Sequence, residues 1–149
     1  MKLSDNLSEE TFFDTQPVMP LVHKIDKVKE FHRVFQLQYN DTPTAELEKR
    51  IYELRHRLME EENDEYLEAC RNNDLVQIAD ALGDKLYILF GTILAHGLQH
   101  KIEEVFDEIH RSNMSKLDDN GQPIFREDGK ILKSANYFLP DIGRVLDRS

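Results

Sequence analysis

The sequence predicts an all-α fold, a bundle of four to five helices followed by a C-terminal, hairpin-like tail. Three observations predict it. Apolar residues recur at three- and four-residue spacing through four successive stretches, polar or glycine-containing breaks separate them, and the pattern then gives way to Asn-Gly and Asp-Gly turn signals. With 149 residues, 40% of them hydrophobic, the chain is long enough for one core but short for two, so residues 1–149 are expected to form a single domain.

Residues 1–24 mix Ser, Asp, Thr and prolines without a sustained period and read as an irregular lead-in. From Ile25 to Tyr39, Ile25, Val28, Phe31, Val34, Phe35 and Leu37 approximate helical spacing, and Asn40-Asp41-Thr42-Pro43 breaks the run. Thr44 is a suitable cap for a second helix, whose stripe comprises Leu47, Ile51, Leu54, Leu58 and Met59 and whose other faces are densely charged. After Asn72-Asn73-Asp74, a third helix is predicted from Leu75 to His96, ending at Gly97. Between Leu86 and Ala95 it is apolar on every side, so neighbours must enclose it, either as the central element or as one face of a subunit interface.

A fourth helix, Lys101 to Met114, turns Ile102, Val105, Phe106 and Ile109 to the core. Residues 117–149 form the tail, with turns at Asn120-Gly121 and Asp128-Gly129 around the short Ile124-Phe125 and Ile131-Leu132 segments and a short last helix over 141–148.

Charge narrows the function. Lys and Arg number 19 against 29 Asp and Glu, a formal net charge of −10, and no cluster of cations is dense enough to coat a phosphate backbone, so a nucleic-acid polymer is not an expected partner. Cys70 is the single cysteine, which excludes an intrachain disulfide or a cysteine-based zinc site and fits a reducing, cytoplasmic setting. The first residues lack the apolar core of a signal peptide, and the longest apolar run is too short to span a bilayer, so no membrane partner is expected.

Two acidic constellations carry the candidate chemistry. On the second helix Glu62 and Glu65 stand at i,i+3 and Glu61 and Glu65 at i,i+4, a crowding of like charge that either faces solvent or is screened by bound cations. On the third, Asp80 and Asp84 stand one turn apart, and Asp84 directly precedes the apolar stretch, where a carboxylate needs a cation, a metal or hydrogen bonds. Acidic pairs on successive, antiparallel helices are suited to hard divalent cations, which take several oxygen ligands from different elements and can then neutralise a polyphosphate and activate water.

These segments, in this order, resemble the MazG-like all-α nucleoside triphosphate pyrophosphohydrolases, a group that includes phosphoribosyl-ATP pyrophosphohydrolases and dimeric dUTPases. The resemblance runs from VKEFHRVF and NDTPT through RLMEEENDEYLEA and IADALGDKLYILFGTILAHGL to VFDEIHRSNMSKLDDNGQPIFREDGKILKSANYFLPDI. It implies hydrolysis of a nucleoside triphosphate to monophosphate and pyrophosphate, in house-cleaning of the nucleotide pool or control of dUTP, with phosphoribosyl-ATP as the alternative substrate. A non-enzymatic helical interaction protein is the competing class, predicting solvated carboxylates and no response to metal.

The family's Glu-x-x-Glu followed by Glu-x-x-Asp implies a Mg²⁺ or Mn²⁺ site of Glu61, Glu62, Glu65 and Asp84. Ala81 stands where the second motif's Glu belongs, and Asp80 is the available replacement. Glu61 is also the candidate for orienting or deprotonating the attacking water. Asn113 and Lys116 match the family's sugar- and phosphate-contacting stretch, with helix capping as the alternative for Lys116. Arg126, Lys130 and Lys133 in the tail are further phosphate candidates, or simply solubilise an exposed hairpin. Tyr87, His32 and Phe35 are candidates for the nucleotide pocket, with a buried Tyr that merely satisfies its hydroxyl as the alternative for Tyr87 and core packing as the ordinary one for the helix 1 pair. A homodimer or homotetramer is expected by the same resemblance.

Overall fold

The computed structural model describes residues 20–147 and contains five helices: α1 (Leu21–Val34), α2 (Lys49–Arg71), α3 (Leu75–Ala95), α4 (Ile102–Met114) and α5 (Ile142–Asp147). Among the described residues there is no strand, and the architecture is all-α, as the periodicity predicts. The expected irregular lead-in lies mostly outside the described residues. Its last part is helical, because α1 begins four residues earlier than predicted, directly after Pro20, whose carbonyl accepts the His23 amide at 3.0 Å.

The first helix also ends early. Gln36 takes a left-handed conformation (φ 56°) and Leu37 N–H returns to the His32 carbonyl at 2.8 Å, closing the last turn. This termination lacks the usual Gly or Asn, so the run of apolar residues to Leu37 conceals it.

Thr44 does not cap α2, which starts at Lys49. The connecting segment is instead fastened to the end of α3. Asn40 N–H donates to the Leu94 carbonyl (2.9 Å) and its Nδ2 to Ala95 O (2.6 Å), Gln99 Nε2 donates to Asn40 O (2.9 Å), and Thr44 N–H donates to His96 O (2.9 Å). His96 Nδ1 donates to the Thr44 carbonyl at 2.9 Å, since a carbonyl can only accept. Gly97, at φ +67°, lies so close to the Thr42 carbonyl that a Cβ there would overlap it.

The third helix starts as predicted, with the Asp74 carboxylate accepting from Val76 N (3.0 Å) and Gln77 N (3.1 Å). It packs along α2 and against α1, the central placement that is one of the two readings of its apolar stretch. Ile25, Val28 and Leu94 form the fully buried core, with Leu21, Tyr39, Phe90 and Ile102 packed on it. The opposite side of α3 is left open: Leu82, Leu86 and Leu89 are 46%, 52% and 42% exposed, and a wholly apolar groove of about 320 Å³ separates it from α4.

The tail folds back as a hairpin-like element. Phe125 and Ile131 form an antiparallel bridge around the Asp128-Gly129 turn, with Arg126 N–H donating to Lys130 O (2.8 Å) and Leu132 N–H to Ile124 O (2.8 Å). Ser112 Oγ of α4 holds it by donating to Phe138 O (2.8 Å), while Ser134 Oγ, 2.7 Å from Leu117 O, ties the tail back to its own first residue. Glu108 then binds α5 to α4: it receives both Arg111 Nε (2.9 Å) and Nη2 (2.8 Å), and the Asp141 amide at 2.7 Å.

Candidate active site

Pairing of α2 with α3 brings the two acidic constellations into one electrostatic neighbourhood. Glu62 is half-buried at this seam, and its Oε2 is enclosed without a hydrogen-bond partner among the described residues. Its carboxyl is pushed above the ordinary 4.5, first by burial and then by the negative charges of Glu65, Asp84, Asp80 and Glu61. Those are the other four carboxylates singled out from the sequence; each is exposed. Lys85 Nζ donates to Asn63 Oδ1 and ties the two helices together beside Glu62.

The five carboxylates do not form a closed coordination sphere. Among the described residues no group of three or more His, Cys, Asp or Glu side chains is gathered tightly enough to hold a metal ion as it stands. Like charges without a cation between them repel, and rotation of exposed side chains is what would draw them together. The residues present nevertheless fit a hard divalent cation, because every donor is a carboxylate oxygen and the buried Glu62 oxygen lacks a partner.

The substrate candidates are dispersed. Lys116 Nζ donates to Asn113 Oδ1 at 2.7 Å just beyond the end of α4, so the two form a pair with each other. Arg126 makes a two-pronged contact with Asp128 in the hairpin turn, its Nε donating to Oδ1 at 2.9 Å. Lys133 lies over the Tyr137 ring at 4.4 Å, and Lys130 is exposed. None of these four bonds to the carboxylate group among the described residues. Tyr87 is exposed and meets the Phe31 ring edge-on.

His32 is 3% exposed, which places it with core packing rather than in an open pocket. Its Nδ1 donates weakly to the Gln38 carbonyl (3.3 Å), and its pKa is lowered by burial, with the Arg55 charge adding to the effect and the Gln38 carbonyl opposing it. The imidazole is therefore neutral at pH 7.

Two structurally important residues escaped the sequence reading. Arg55 is a buried cation with no carboxylate partner among the described residues, held by Nη2 donating to Ile88 O (2.6 Å) and Nε to Thr92 Oγ1 (3.1 Å). A cation beside Leu54 within the apolar stripe was the available signal. Glu108, held down to about 2 by the Arg111 guanidinium first and the Asp141 amide next, had a weaker one, its i,i+3 spacing from Arg111.

The family model described as phosphoribosyl-ATP pyrophosphohydrolase matches residues 28–113, more than half of the chain. The chain belongs to the phosphoribosyl-ATP pyrophosphohydrolase family. That places it in the MazG-like all-α superfamily and makes it a pyrophosphohydrolase acting on a nucleotide. No curated protein matches it. The span matched to the phosphoribosyl-ATP pyrophosphohydrolases begins inside α1, takes in α2 and α3 with all five carboxylates, and stops at Asn113. Lys116, Arg126 and Lys133 therefore fall in the segment outside the match. No helix among the described residues is long and apolar enough to cross a membrane.

Proposed function

We propose that the chain hydrolyses a nucleoside triphosphate between its α and β phosphates, giving the monophosphate and pyrophosphate. The partnerless Glu62 oxygen amid Glu61, Glu65, Asp80 and Asp84 is the observation that carries this reading. Glu61, Glu62, Glu65 and Asp84 would hold Mg²⁺ or Mn²⁺, with Asp80 supplementing them. Such an ion neutralises a polyphosphate and makes a nearby water more acidic. Glu61, exposed beside the cluster, accepts a proton from the attacking water; the new bond forms to phosphorus and the α–β anhydride bond breaks, with pyrophosphate leaving.

Phosphoribosyl-ATP is the second reading, favoured by the description of the matching family. Its additional ribose phosphate asks for further cationic contacts. Lys116, Arg126 and Lys133 are each committed to a neighbour, which favours the simpler triphosphate. Pyrophosphate release from a panel of canonical, deoxy and modified nucleoside triphosphates and phosphoribosyl-ATP, beside a Glu62→Gln, Glu65→Gln double variant, separates the readings. Release confined to phosphoribosyl-ATP would overturn the first, and release that persists in the variant would remove the carboxylates from the chemistry.

The assembly reading is a homodimer, or a homotetramer built from it, in a cytoplasmic setting. Leu75, Ala79, Leu82, Leu86 and Leu89 follow alternating four- and three-residue steps along α3, the spacing of a helix–helix seam, and all five are exposed. With the apolar groove beside α4, this stripe is suited to a second copy of the chain. Sedimentation of the wild type and Leu86→Glu tests it, with a shift towards the monomer expected.

A further inference from the structure

Every ring–ring contact among the described residues runs through Phe31. Its ring lies 4.3 Å from that of Phe35 at an angle of 34°, and 5.5 Å from that of Tyr87 at 85°. The remaining contact, 6.5 Å to His32, leads to a buried side chain. Phe31, Phe35 and Tyr87 are themselves 37%, 61% and 41% exposed, so three apolar ring surfaces meet where α1 ends beside α3.

Position gives this patch a meaning that exposure alone does not. Tyr87 follows Asp84 by three residues, about 4.5 Å along the axis of α3 and on a neighbouring face. The patch thus begins one turn from the carboxylates around Glu62. It is also separate from the α3 stripe assigned to a second copy, since Tyr87 is turned about 100° from Leu86 around the helix. Gln36, left-handed at φ 56°, turns the chain away just after Phe35, the residue that caps the C-terminus of α1, and leaves that ring at the helix end, a conformation unfavourable for a residue with a Cβ.

We propose that Phe31, Phe35 and Tyr87 form a stacking platform for the base of the nucleotide whose phosphates occupy the Glu62 cluster. The inference rests on the pyrophosphohydrolase reading above and adds the part of the substrate that the platform selects. Aromatic faces grip a base through its π surface, whichever hydrogen-bonding edge it carries. His32, the polar neighbour on α1, is buried and bonded to Gln38, so it does not read that edge. The platform therefore discriminates by ring area, and purine nucleotides bind more tightly than pyrimidine nucleotides.

The test is calorimetric titration of the full chain, in Mg²⁺, with non-hydrolysable α,β-methylene analogues of a purine and a pyrimidine triphosphate and with inorganic tripolyphosphate, which carries no base. Phe35→Leu and Tyr87→Leu keep an apolar side chain at exposed positions; circular dichroism checks that each variant is folded, and sedimentation follows assembly. Each variant is expected to weaken the purine analogue roughly 5- to 150-fold, the range for loss of one stacking ring, while leaving tripolyphosphate unchanged. Equal weakening of both probes, no weakening of either, or a change in assembly without a change in binding would overturn the platform and leave the phosphate site standing. Failure of the wild type to bind both tripolyphosphate and the analogues would remove the phosphate-site reading itself, and the platform with it.

Discussion

Replacing Gly91 with alanine tests the packing of α1, α2 and α3 where Arg55 and His32 close on the α3 backbone. A Cβ built there falls well inside van der Waals distance of Arg55 Nη2, 2.8 Å from His32 Nε2 and 3.1 Å from Arg55 Cζ. In an open helix interior, Gly→Ala stabilises by about 0.5–1 kcal/mol. Here the methyl either strains a packed seam, at about 1–3 kcal/mol, or displaces the guanidinium from Ile88 O, where a hydrogen bond from a charged donor contributes about 1.5–3 kcal/mol. Set against that gain, the balance is a net loss of about 1.5 kcal/mol, which lowers Tm by roughly 3–6 °C for a chain of this size. Thermal unfolding followed by circular dichroism reads the shift. A second measurement in an Arg55→Met background isolates the cause, since the cost of the added methyl should fall by at least about 1 kcal/mol once the guanidinium is gone. A raised Tm for Gly91→Ala, or an equal cost in both backgrounds, would refute the reasoning.

Gly97→Ala combines a left-handed φ of +67° with overlap of the Thr42 carbonyl, and should destabilise by more than about 2 kcal/mol in urea unfolding, detaching the 40–48 segment from α3. Glu108 has its carboxyl lowered from 4.5 to about 2 in the folded chain, so the stability it contributes is complete above pH 4.5 and is lost as pH falls through about 2. The Tm advantage of wild type over Glu108→Gln should shrink across that window, and an advantage independent of pH would contradict the ion-pair account. Saturating Mn²⁺ should raise the Tm of the wild type, by about 2.7 kcal/mol of stability at one hundred times Kd. The Glu62→Gln, Glu65→Gln variant should not respond, and an equal response in both proteins would place the ion elsewhere.

Helix existence was legible because burial imposes a period: Ile25 and Val28 on one helix, and Ile93 and Leu94 on another, must reach a common core. Boundaries were legible only where the stop or start is local. Asp74 caps α3 with its own carboxylate, a signal present in the sequence. Thr44 has the same capping chemistry, yet its backbone is occupied by His96, fifty-two residues away, and that competition leaves no local trace. Gln36 closes α1 in a conformation normally reserved for Gly or Asn, so no composition rule points to it.

The site divides along the same line. Spacing within one helix is enough to pair Glu62 with Glu65 and Asp80 with Asp84, because i,i+3 and i,i+4 positions are neighbours by geometry. That the two pairs act on one another depends on how deeply Glu62 sinks between α2 and α3, which no single helix encodes. Cations are harder still, since a long flexible side chain chooses its partner only after folding: Lys116 takes Asn113, Arg126 takes Asp128, and Lys133 takes the Tyr137 ring. The same consideration explains Arg55. Seven residues, two helical turns, separate it from Glu62, which puts both on one face of α2, but ion pairing is not what keeps it buried. A backbone carbonyl and a threonine hydroxyl of α3 replace its water, so the cation ties α2 to α3 without drawing on a carboxylate, and the Glu62 oxygen has no partner among the described residues. A fold that solvates its buried cation with neutral groups keeps its carboxylates available to something from outside.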